Sequence, residues 1–103
     1  MTLLERVEAP LTSQSVDQAM MAAFSHVSGA VGLGIEHGPV GSRAVLVLDV
    51  GGDRFFDAEL EAMDGLVQIR RAFPREPIDL LCVSVQDAAA FDTSPRMAVY
   101  RFA

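Results

Sequence analysis

Five carboxylates crowd a short stretch of the chain: Asp49, Asp53, Asp57, Glu59 and Glu61. Carboxylates at a strand end and a helix start are the donors a magnesium ion takes. With a histidine brought in by the fold, the 49–57 region would make a small metal-dependent enzyme. The same residues also suit a plain helix terminus: Asp53 or Asp57 as cap, Glu59 and Glu61 facing water. His26 and His37 lie far from each other and from the cysteine, with no close partner in sequence. Cys82 sits between Leu81 and Val83, where a thiol behaves as a small apolar residue. Ser84 and Ser94 belong to no Gly-x-Ser-x-Gly elbow, which leaves acyl transfer without support. Gly32-Leu33-Gly34 lacks the third glycine of a dinucleotide loop and follows a helix instead of a strand. Arg70, Arg71 and Arg75 could clamp an acidic group, and they also complement the C-terminal end of a helix dipole.

The elements that must position these residues read clearly. Ser13 or Ser15 can cap a helix whose apolar face is Val16, Ala19, Met20, Ala23, Phe24 and Val27, with Gly29 as terminator. Residues 30–50 read as a hairpin turning at Gly38-Pro39-Val40-Gly41-Ser42. The runs over 44–50 and 78–85 are too continuously apolar for strands with one wet face, so both are expected centrally in a sheet, parallel and adjacent. Between them Phe56, Leu60, Met63 and Val67 recur at helical spacing, widened by Leu66, Ile69 and Phe73, and this stripe is expected to cover the sheet. Phe55 is placed in the core with Phe56 and Phe73. Residues 86–92 form a helical turn and 97–102 a short edge strand. The fold class is α/β, bordering on α+β: a single-layer mixed sheet of about four strands with two main helices, in the order α-β-β-α-β-(short α)-β. With helices on one face only, the other sheet face needs cover. A second copy pairing as a homodimer, the N-terminal lead, or the first helix would supply it.

A length of 103 residues makes residues 1–103 a single domain. Eight basic residues against fourteen acidic ones give a net charge of −6, which repels nucleic acid and anionic membranes. Half of the residues are hydrophobic, but no window reaches the roughly 20 uninterrupted apolar residues of a membrane span. The N-terminal residues lack the pattern of a secretory signal, so the expected location is cytoplasmic. One cysteine excludes an internal disulfide and a zinc knuckle.

The order of features resembles the C-terminal domain of the bacterial enhanced serine sensitivity (SseB) family. The likeness is carried by the lead Val7-Glu8-Ala9-Pro10, the helix through Met20 and Phe24, and the strands over 31–35 and 44–50. It continues through the helix around Leu66-Val67, then Pro77-Ile78-Asp79-Leu80-Leu81 and Val99-Tyr100-Arg101. It spans residues 7 to 102 and implies a compact bacterial α/β domain, with no catalytic motif to carry over.

The expected function is therefore a non-catalytic protein-binding or adaptor domain, without metal or cofactor. Arg70, Arg71, Arg75, Asp53 and Asp57 are its candidate partner-binding residues. An immunity-like protein that neutralises a basic toxin is the variant that the acidic charge suggests.

Overall fold

The computed structural model describes residues 2–4, 15–91, 93 and 96–102. The elements run α1 (Ser15–Phe24), β1 (Ala30–His37), β2 (Ser42–Leu48), α2 (Asp53–Ala72), β3 (Ile78–Ser84), α3 (Val85–Ala90) and β4 (Ala98–Arg101). This is the expected order and class. Pro10, Ser13 and the Val7-Glu8-Ala9-Pro10 lead lie outside the described residues, as do Asp92 and Ser94.

The four strands make one mixed sheet in the order β3-β2-β1-β4. β1 and β2 form the antiparallel hairpin, β4 adds antiparallel to β1, and β2 and β3 are parallel neighbours joined through α2. β2 is buried on both faces, as its unbroken apolar run requires. Ala44, Leu46 and Leu48 meet the helices, while Val45 and Val47 meet the opposite layer. β3 departs from expectation, because it is an edge strand with Leu81 45% exposed. Periodicity reports how a strand's two faces are covered and is silent on how many strands flank it.

On one face α1 contributes Val16, Met20 and Phe24, and α2 contributes Ala58, Ala62, Leu66 and Ile69, packed on Leu33, Ile35, Leu46 and Leu48. Four of the large residues assigned to the inward stripe of α2 point outward instead: Phe56 is 62% exposed, Leu60 51%, Met63 39% and Val67 44%. Leu66 and Ile69 are buried as expected, and Phe55 and Phe73 pack at the core margin. The small side chains of Ala58 and Ala62 let α2 lie close against the sheet, whose own Leu and Ile residues already fill the layer.

The second face is not bare. Leu3, Ala88, Met97 and Val99 close over Val45, Val47 and Val83, and the Leu3 amide donates to the Phe91 carbonyl at 2.9 Å. Leu3, α3, Met97 and Val99 thus supply the cover for which a second copy was one candidate.

Candidate functional site

The sequence-selected residues that the structure describes have definite places. Asp53 is the first residue of α2, but its N-cap is Gly52 at φ 58°, and no side chain caps the helix. Asp49, Asp53 and Asp57 stand on open surface. Among the described residues no group of three or more histidines, cysteines or carboxylates is placed to hold a metal ion. The Glu61 carboxylate accepts from the Ser28 amide at 2.7 Å and the Ser28 hydroxyl at 3.0 Å, tying the α1–β1 turn to α2. Ser84 is the N-cap of α3, its hydroxyl accepting from the Asp87 amide at 3.1 Å.

Cys82 is half-buried. Burial, with a smaller contribution from the Glu59 carboxylate, pushes its thiol up to about 11. A thiol held protonated is a poor nucleophile.

Arg70 turns inward along β3. Its Nε and Nη2 donate to the Ile78 carbonyl at 3.0 and 2.6 Å, and Nη2 lies 3.6 Å from Asp79. Arg71 is exposed in the last turn of α2, and Arg75 follows in the loop over 73–77. Asp57 and Arg70 are 13 residues apart on one helix, about 20 Å along its axis at 1.5 Å per residue. Asp53 and Asp57 therefore do not converge with Arg70, Arg71 and Arg75 within one chain.

One polar cluster escaped the sequence. Asp17 on α1 is buried, and its Oδ1 lies 2.6 Å from Nε2 of His37 at the end of β1. His37 Nδ1 lies 2.6 Å from the Ser42 hydroxyl at the start of β2, and Ser42 donates to Glu76 Oε1 at 2.9 Å. His37 is thus not without partners: Ser42 lies five residues on, across the hairpin turn, and Asp17 twenty residues back. Ser42 gives its one proton to Glu76, and the imidazole bridges the Ser42 oxygen and the Asp17 carboxylate. Ser42 is 5% exposed and its hydroxyl proton is committed, so the set resembles a nucleophile relay in composition only. It acts as a four-way tie between α1, β1, β2 and the 73–77 loop. Gly41 permits it: a Cβ there would stand 2.4 Å from the Pro77 carbonyl oxygen, which accepts from the Ser42 amide at 2.8 Å. The signal available in sequence was Asp17 itself, a carboxylate three residues from Met20 and seven from Phe24 on the inward face of α1.

An open cleft of about 620 Å³ lies beyond this tie, between the Gly38–Gly41 turn and the Phe73–Pro77 loop, with Arg75 and Glu76 in its wall.

Four of the exposed large hydrophobic residues among the described residues stand on the outer flank of α2. Phe56, Leu60, Met63 and Val67 follow one another at spacings of four, three and four residues, so they share one helix face. Arg70 lies seven residues beyond Met63, which lies seven beyond Phe56, so this face borders the free edge of β3.

Compared with known proteins, the chain matches no family model, no curated protein and no solved structure.

Proposed function

We propose that this chain is a non-catalytic bacterial protein-binding domain of the adaptor type, with the outer flank of α2 as its docking surface. One observation carries the reading: four large apolar side chains on one helix face, each between 39% and 62% exposed, while residues as small as Ala58 and Ala62 fill the inward face. A contiguous exposed stripe of this kind, rimmed by charge, is the mark of an interaction site. The reactive residue types support no competing reaction. The Cys82 thiol is pushed up, Ser42 is buried and committed, and of the acidic series Asp53 stands in the first turn of α2 while Glu61 tethers Ser28. The likeness of pattern to the SseB C-terminal domain accords with this reading and brings no catalytic residue to it.

The test is a photo-crosslinking amino acid at position 60, irradiated in native lysate over a series of salt concentrations. A discrete protein adduct, lost when Met63 and Val67 are replaced by serine, is expected. Irradiation that yields no protein adduct overturns the proposal.

A further inference from the structure

The geometry points to a second copy of this chain as the partner of the α2 flank, in a two-fold dimer with the α2 helices antiparallel and the β3 edges side by side. This deepens the docking reading above and rests on it.

Charge along the stripe selects the partner. Asp57 and Glu59 accompany its first half, Asp64 its middle, and Arg70 and Arg71 its second half. An antiparallel copy related by a two-fold axis between Met63 and Asp64 sets Leu60 against Val67 of the other copy. It also brings Asp57 and Glu59 to Arg70 and Arg71 of the other copy, twice over by symmetry. The candidate residues separated by about 20 Å along one helix thus meet across two. A parallel arrangement would bring like charges together at both ends of the stripe, whereas the antiparallel one does so only at Asp64, beside the axis.

The sheet agrees with the helix about where the axis passes. Arg70 near the end of α2 bonds the Ile78 carbonyl at the start of β3, and Glu59 near the start of α2 raises the Cys82 thiol toward the end of β3, so α2 runs antiparallel to β3 and the middle of the helix lies near the level of Leu80. The middle of the stripe and the middle of β3 therefore lie on one line. Among the described residues β3 is a terminal strand of the sheet, and an edge strand presents backbone groups to a neighbour. Arg70 covers its first carbonyl, leaving the stretch from Leu80 to Val83 for the partner. A flank about 30 Å long and 20 Å wide offers on the order of 600 Å² per protomer, near the lower end of stable interfaces.

Sedimentation velocity over a concentration series tests this on the full chain. The expected species at about 100 µM has twice the 11.1 kDa chain mass, with Leu60→Lys weakening association at least tenfold while circular dichroism stays native. Asp57→Arg is expected to weaken it several-fold, and Asp57→Arg with Arg71→Asp to restore it. A wild-type monomer at that concentration overturns the inference, as does a dimer indifferent to Leu60→Lys. If the chain is monomeric and position 60 crosslinks to a different protein, self-pairing falls and the docking surface stands. If it is monomeric and position 60 crosslinks to nothing, both fall.

Discussion

Replacing His37 with alanine probes the polar tie between α1, the β-hairpin and the 73–77 loop. The imidazole makes two contacts of 2.6 Å, one to a carboxylate whose side chain is 2% exposed and one to the nearly buried Ser42 hydroxyl. Leaving a buried charged acceptor without one of its hydrogen-bond partners costs about 1–3 kcal/mol or more, because the group keeps its desolvation penalty. The His37 side chain is 33% exposed, so water enters the vacated space and part of that penalty is recovered. The expected loss is about 2 kcal/mol, which for a domain of this size lowers the melting temperature by roughly 10 °C. Glu76→Gln retains an acceptor for the Ser42 proton and should cost less than about 1 kcal/mol. Urea unfolding at pH 7 measures both, with the slope of the transition unchanged. A His37→Ala loss below about 0.5 kcal/mol, or one equal to that of Glu76→Gln, would refute the claim that the buried Asp17 carboxylate depends on the imidazole.

Ala62→Leu should destabilise by about 1–3 kcal/mol through overpacking, while Leu60→Ala should change unfolding of the monomer by less than about 0.5 kcal/mol; the reverse ranking would mean that α2 is turned the other way. Val47→Asp buries a carboxylate in β2 beneath Leu3 and Val83, costs several kcal/mol on the order expected for an unpaired buried charge, and should abolish the native circular dichroism spectrum. Glu61→Ala should cost about 0.5–1 kcal/mol by releasing Ser28, more than an ordinary surface helix position, and the double variant with Ser28→Ala should lose less than the sum of the two single losses. The raised Cys82 thiol implies slow reaction with a disulfide reagent at pH 8 and acceleration toward pH 11. Since its folded pKa exceeds the ordinary value of 9.0, its contribution to stability is whole below pH 9 and is lost as the pH rises through about 11. A reaction at pH 8 as fast as that of a free thiol would contradict the burial.

The hairpin, the parallel pair and the inward face of α1 were legible because each is written locally, in turn residues and in the period of the apolar positions. α2 was legible as a helix but not in its orientation. Hydrophobicity weighs Phe56 and Leu60 above Ala58 and Ala62, whereas the space left by Leu46, Leu48 and Phe24 admits only the smaller side chains. β3 carries the same apolar signature as β2, and nothing in a strand's own residues counts its neighbours. The Asp17–His37–Ser42–Glu76 tie spans 59 positions of sequence, so only its anomaly, an acid on an apolar helix face, was visible beforehand. The separation of Asp57 from Arg70 was readable from helix rise alone, yet its meaning depends on which face of α2 is outward.

Leu3 comes from one end of the described chain and Met97 and Val99 from the other, and both ends close over Val45 and Val47. On the ribosome the hairpin, α2 and β3 emerge before β4 can dock beside β1, so the nascent sheet presents an oily underside until the last strand arrives. Fusions or trims that tether either end elsewhere would leave that underside open, and aggregation during synthesis would be their signature before any loss of helix.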